Sequence, residues 1–146
     1  MNIINYLNKK QMEVVKIKSL EKGTTLFREN DECKCIGIVL EGEVSIVTYL
    51  NNGDEVIYNN VFSNEIFGNN LIFSSEPYYK GNIITNVDSR IAFIYKKDLL
   101  NILKTNDEFL VEYLKIQSNF GKALNNRIKL LSIDSAEERL FNKSFL

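Results

Sequence analysis

The residues able to do chemistry in this chain are few, and their types point to binding rather than catalysis. There is no histidine, which removes the commonest general base and the commonest ligand of a catalytic metal. Most hydrolase and metal-oxygenase readings go with it. Cys33 and Cys35 are the only cysteines; they are too few for a disulfide framework, and a C-x-C pair supplies only two metal ligands. They read as reduced strand residues. The remaining candidate is Gly68-Asn69-Asn70-Leu71. A glycine before this run lets a strand turn into a short helix whose free amides face a pocket, an arrangement able to hold an anion or a carbonyl. The run lies in the least regular stretch, residues 64–84, and long irregular segments inside compact domains are usually functional. The alternative is that this stretch closes one end of a barrel, with Phe67, Phe73, Tyr78 and Tyr79 as its plug. The residues themselves leave both open.

These candidates are held by a run of short strands. Alternating, β-branched, turn-bounded segments predict strands at Val14–Ile17, Thr24–Phe27, Cys35–Leu40, Glu43–Tyr49, Glu55–Val61, Ile83–Val87 and Arg90–Tyr95. Glu41-Gly42 and Asn51-Asn52-Gly53-Asp54 supply the turn residues of tight hairpins. Consecutive strands joined in this way are antiparallel, and their number and spacing imply a sandwich or barrel. Ile3, Ile4 and Leu7 sit at helical spacing and predict a short N-terminal helix; Lys97–Leu103 predicts another. Asn106 followed by Asp107 and Glu108 is a helix start, a capping side chain with carboxylates beside the positive end of the dipole. The helix it opens runs to Ser132, about 39 Å at ~1.5 Å per residue. Ser135-Ala136-Glu137-Glu138 forms a capping box for a further helix.

Composition narrows the partners. The chain has 146 residues, 45 % of them apolar and 25 % charged, with a single proline. That is one ordinary domain able to bury its own core. A net charge of -1 gives no global positive field to hold a polyanion such as DNA. No stretch reaches the ~18 consecutive apolar residues of a membrane span, and the first residues lack the order of a signal peptide. The protein is expected to be cytoplasmic, away from membranes.

The long helix carries two stripes. Leu110, Tyr113, Gln117, Phe120, Leu124, Arg127 and Leu131 recur at alternating spacings of three and four, a heptad seam. Leu114, Gly121 and Ile128 form a second stripe. One broad apolar face against the β unit would account for them. The sharper reading gives one stripe to the β unit and the other to the same helix of a second subunit, in a two-fold homodimer. Gln117 and Arg127 at core-type positions weaken such a seam but can set its register.

Taken together, Lys22-Gly23-Thr24-Thr25-Leu26-Phe27, Leu40-Glu41-Gly42-Glu43-Val44, Asn52-Gly53-Asp54-Glu55, Ile66-Phe67-Gly68 and Arg90-Ile91-Ala92 resemble the Crp/Fnr superfamily of bacterial transcription regulators. The resemblance covers nearly the whole chain, including the Ser135-Ala136-Glu137-Glu138-Arg139 opening of the hinge. It implies a mainly β fold with α, an antiparallel β-roll (a double-stranded β-helix or jelly roll, cyclic-nucleotide-binding-like) followed by a long dimerisation helix. It divides the chain into an effector-sensing β-roll with a short N-terminal helix at 1–105, a dimerisation helix at 106–133, and the start of a hinge helix at 134–146. A helix-turn-helix domain that reads DNA would lie past the hinge, outside this chain.

The resemblance also implies where a ligand would sit. Relatives that bind cyclic AMP carry Gly-Glu-Leu in the phosphate cassette, where this chain has Gly68-Asn69-Asn70-Leu71. Their phosphate-gripping Arg falls here near Tyr79 or Lys80, and no Arg lies between Arg28 and Arg90. Losing a bidentate charge-assisted grip removes contacts worth roughly 1.5–3 kcal/mol each, and Lys80 offers a point charge in exchange. Cyclic AMP is therefore not the expected effector. An iron-sulfur cluster held by four cysteines and haem held by a histidine are both disfavoured by composition. An unidentified small molecule, a redox event at Cys33 and Cys35, or no ligand remain. The family's pocket is completed from the long helix, where Asn125 and Asn126 are the polar candidates.

The expected function is thus the sensory and dimerisation domain of a Crp/Fnr-like regulator, with no cofactor and no catalytic residue. The alternative is a free-standing cyclic-nucleotide-type module that regulates another protein by contact. A cupin-like enzyme would need histidines and carboxylates converging in the barrel, and falls for want of histidine.

Overall fold

The computed structural model describes the backbone of residues 2–136 and the side chains of that span other than 58, 123–125 and 127–136. The chain begins with a 3-10 turn, Ile3–Tyr6, and a short helix α1, Lys9–Met12, where the sequence predicts one helix. Asn8 breaks the two. Its side chain accepts from the Gln11 amide while the Gln11 side chain accepts from the Asn8 amide, a reciprocal cap that starts α1 afresh.

Eight strands follow: β1 Lys16–Leu20, β2 Thr25–Phe27, β3 Cys35–Glu41, β4 Glu43–Tyr49, β5 Glu55–Phe62, β6 Ile66–Phe67, β7 Asn82–Thr85 and β8 Ser89–Tyr95. They form two antiparallel sheets, one in the order β1-β8-β3-β6 and the other β2-β7-β4-β5. The interleaved order is that of a β-roll, as expected. The tightest connection, between β3 and β4, is Gly42 alone. At φ +98° it holds a conformation that an L side chain resists, and an added Cβ would strike Ser89 and the Asp88 carbonyl.

The core lies where β3 and β8 pair. Ile36 opposes Ile94, Ile38 opposes Ala92 and Val39 opposes Ile91, and all six are fully buried. Five successive residues of β3, from Cys35 to Val39, are buried, so the alternation of a half-buried strand gives way to a strand covered on both faces. Helix α2, Lys96–Thr105, packs on β8 and β3 and contributes Leu99 and Ile102. The outer strands differ in character. β1 exposes Lys16, Ile17, Lys18 and Ser19, whereas β5 exposes Val56, Ile57 and Phe62.

Helix α3 spans Asp107–Ala136, running past Ser132 and taking in Ser135 and Ala136 without a break. Ser135 therefore sits inside the helix; the rest of the expected hinge segment, 137–146, lies outside the described residues. Residues Met1–Leu110 make one compact unit and the chain from Val111 onward another, a division that falls within α3. No helix among the described residues is long and apolar enough to cross a membrane.

Candidate functional site

β6 has only two residues, and its pairing with β3 (Phe67 opposite Gly37, Ile66 opposite Ile38) decides where the candidate turn sits. Gly68 comes to lie against the start of β3 at φ +83°. A Cβ added there would stand 2.9 Å from the Cys35 carbonyl and 3.3 Å from the Cys33 sulfur. Only glycine suits both the backbone conformation and the space.

After Gly68 the chain makes a turn and not the short helix predicted. The Leu71 and Ile72 amides both donate to the Gly68 carbonyl, at 3.1 and 3.0 Å. Of the amides expected to face a ligand, that of Leu71 is thereby engaged within the turn. Ile72 is the reason: fully buried, it draws the chain inward and closes the turn. Asn69 is buried, Leu71 half-buried and Asn70 exposed.

The two cysteines belong to this same spot. The fully buried Cys33 thiol points at the Cys35 carbonyl, 3.3 Å, and the Gly68 carbonyl, 3.4 Å. Burial pushes the Cys33 thiol up and the Cys35 thiol up to about 12, with the neighbouring Cys33 adding to it. Both are held as thiols, and the thiolate is the form that reacts. Such an environment does not suit a redox sensor. Among the described residues no group of three or more His, Cys, Asp or Glu is placed to hold a metal.

Tyr79 closes the cluster. It is 2 % exposed and stacks on Phe27, centroids 4.9 Å apart and planes 14° off parallel. Phe27 meets Phe93 edge-on at 6.3 Å, and Phe93 meets Phe67 likewise at 6.4 Å. The interior beside the Gly68 turn is thus occupied by four aromatic rings. The Tyr79 hydroxyl lies beside Cys33 without a hydrogen bond of ordinary geometry, and burial, before any other cause, drives its pKa far up. Of the four plug candidates, Phe67 and Tyr79 are interior. Phe73 and Tyr78 are on the surface, where the Lys96 ammonium stands 5.7 Å from the Phe73 ring. Lys80 is exposed.

On α3 the stripes fall differently from the predicted seam. Tyr113 is 4 % exposed, and Leu110 and Gln117 are half-buried. The apolar side chains open to solvent are Val111 at 50 %, Leu114 at 53 % and Phe120 at 46 %. Of the seam, Phe120 is exposed and Tyr113 is buried. Leu124, Arg127 and Leu131, and Asn125 and Ile128 beside them, have side chains outside the described residues. Asn126 is exposed.

Residues that sequence reasoning passed over complete the picture. Phe27 and Phe93 carry the aromatic stack, and Gln11 joins the chain's start to the base of α3. The Asn106 side chain caps α3 by accepting from the Phe109 amide, 3.0 Å, as predicted, and it also donates to the Tyr6 carbonyl and the Gln11 side chain, both at 2.9 Å. The Asn8-x-x-Gln11 spacing is the signal from which Gln11 was readable.

With this geometry in place, comparison with known proteins gives a consistent answer. Residues 17–106 match the cyclic nucleotide-binding domain family. The fumarate and nitrate reduction regulatory protein of Salmonella typhi is 28 % identical over 124 residues, covering 84 % of this chain and 48 % of that protein. The chain spans about half the length of the curated relatives it matches. A transcriptional regulator from Thermotoga maritima superposes with a TM-score of 0.76 at 24 % identity, over 87 % of this chain and 99 % of that one. The sensor domain of a transcriptional regulator from Pseudomonas aeruginosa gives 0.68 at 21 % identity, over 87 % and 85 %. The β-roll, the glycine turns and the match over most of the chain agree: this chain belongs to the cyclic nucleotide-binding domain family.

Proposed function

We propose that the chain is the effector-sensing and dimerisation part of a Crp/Fnr-like bacterial transcription regulator, acting in the cytoplasm, with DNA read by a domain outside this chain. The observation that carries this reading is α3, one continuous helix whose Val111, Leu114 and Phe120 stay exposed. Large apolar side chains recurring along one helix and left in water are favoured for burial by a second copy, and paired helices are the two-fold solution. The interface is drawn through Leu110, Leu114, Gln117 and Phe120, with Leu124, Arg127 and Leu131 continuing it.

Cyclic AMP is not the effector in this reading. The turn after Gly68 engages the Leu71 and Ile72 amides internally, Tyr79 stands stacked where the family's arginine falls, and Lys80 is exposed. Tyr79 and Phe67 act as a built-in plug, and the switch is a change in the pairing of the helices. Such a change follows a ligand only as far as the ligand prefers one arrangement over the other.

Sedimentation velocity at tens of micromolar tests the reading. The wild-type chain is expected to be a dimer. The pair of substitutions Leu114→Glu and Phe120→Glu is expected to weaken it by about 100-fold or more, because two charges would enter a desolvated seam. A wild-type monomer at that concentration overturns the proposal, and a rise in melting temperature with cyclic AMP overturns the ligand half of it.

A further inference from the structure

Asp98, Asn101, Ile102 and Thr105 follow the spacing that sets residues on one face of a helix, here α2. Across from them stand Asn8, Lys10 and Gln11 of the α1 segment, and between the two lies a groove of about 350 Å³. That is within the size of small-molecule sites, roughly 300–1,000 Å³. Val14 and the buried Ile102 give it an apolar patch. Its charged members have opposite signs, Lys10 on one wall and the half-buried Asp98 on the other. Among the described residues the ion pairs are Arg90–Glu41 and Lys115–Glu112, so neither Lys10 nor Asp98 is engaged in one.

The groove is also wired to the base of α3. Gln11 reaches the Thr105 hydroxyl with its side-chain nitrogen, 3.5 Å, and accepts from Asn106 with its oxygen, 2.9 Å. Asn106 in turn caps α3 at Phe109. A molecule that draws on Gln11 or Thr105 therefore competes with the bonds that hold the cap in place.

We propose that the groove between α1 and α2 binds a small zwitterion of the α-amino acid class, its carboxylate on Lys10 and its ammonium on Asp98, and that occupancy is felt at the start of α3 through Gln11 and Asn106. A ligand with one charge would leave the opposite wall unmatched, whereas a zwitterion answers both. The binding half stands apart from the regulator reading; the relay half rests on it.

The test uses the full chain and the twenty proteinogenic amino acids offered singly up to about 20 mM, the range that weakly held surface charges require, with acetate and methylamine as single-charge controls. At least one amino acid is expected to raise the melting temperature by about 4 °C for each tenfold excess over its dissociation constant, and acetate and methylamine are not. Asp98→Asn and Lys10→Met should each abolish the rise while starting near the wild-type melting temperature. Silence from all twenty, an equal rise with acetate or methylamine, or a rise that survives both substitutions overturns the site. Hydrogen exchange at the Phe109 amide separates the relay: a changed rate on binding supports it, and an unchanged rate with binding intact removes the relay alone, leaving the oligomeric reading to its own experiment.

Discussion

Around Gly68 the inward side chains find their cover within the chain: Ile72 is sealed, Tyr79 lies on Phe27, and the Cys33 thiol has two carbonyls in reach. Along α3 that closure fails part-way, since Phe109 is fully buried while Val111, Leu114 and Phe120 are about half exposed. The interior beside Gly68 is thus closed within the chain, whereas α3 alternates buried and exposed apolar side chains, Tyr113 at 4 % between Val111 at 50 % and Leu114 at 53 %. The contrast is what the proposed division of labour rests on, stability from the one region and association from the other.

The contrast breaks most visibly at Phe109. Phe109→Ala is expected to cost about 3–5 kcal/mol in urea unfolding, as a sealed aromatic should, while Leu114→Ala costs under about 0.5 kcal/mol once corrected for association. Equal losses at the two positions would erase the distinction between the regions. A smaller effect belongs to Gly68→Ala. It forces a side chain into φ +83° against the Cys35 carbonyl and should lose about 1–3 kcal/mol, again by urea unfolding. An unchanged midpoint would mean that the turn is free to shift.

The gentlest effect sharpens the picture of the sealed interior. In the unfolded chain a thiol ionises near 9.0, whereas folding raises Cys33 above that value and Cys35 to about 12. The unfolded state then holds fewer protons than the native one above pH 9.0, so stability is complete below that pH and falls as pH rises toward about 12. Melting temperatures taken from pH 8 upward should decline, and Cys35→Ala should flatten the slope. A slope unaffected by that substitution would show the thiol to be less enclosed than its burial indicates.

How far these features are legible in the sequence depends on how local their causes are. β4 matches its prediction residue for residue, Glu43–Tyr49, because alternation and the bounding Gly42 and Gly53 are written side by side. The cap at Asn106 is legible for the same reason: the side chain, the acidic first turn and the helix are contiguous. β6 escapes because two residues carry no period, and its place beside β3 is a matter of tertiary pairing. The turn after Gly68 passes for a short helix because a glycine followed by Asn69, Asn70 and Leu71 suits either, and the burial of Ile72 that closes it is tertiary. Tyr113 is placed on the heptad seam by spacing alone, and intervals of three and four do not show that it is buried while Phe120 is exposed. Phe73 and Tyr78 group with Phe67 and Tyr79 on type alone, and type does not fix depth.

One strand has a practical meaning for anyone concentrating this protein. Lysines at 16 and 18 line β1, the kind of guard that keeps a sheet margin from recruiting neighbours, but β5 turns Val56, Ile57 and Phe62 outward on the opposite sheet's last position. Unpaired main-chain donors and acceptors beside those side chains are a template for aggregation. Oligomers seen at high concentration could then arise by strand addition and mimic helix pairing, and a lysine in place of Ile57 is the simplest way to tell the two apart.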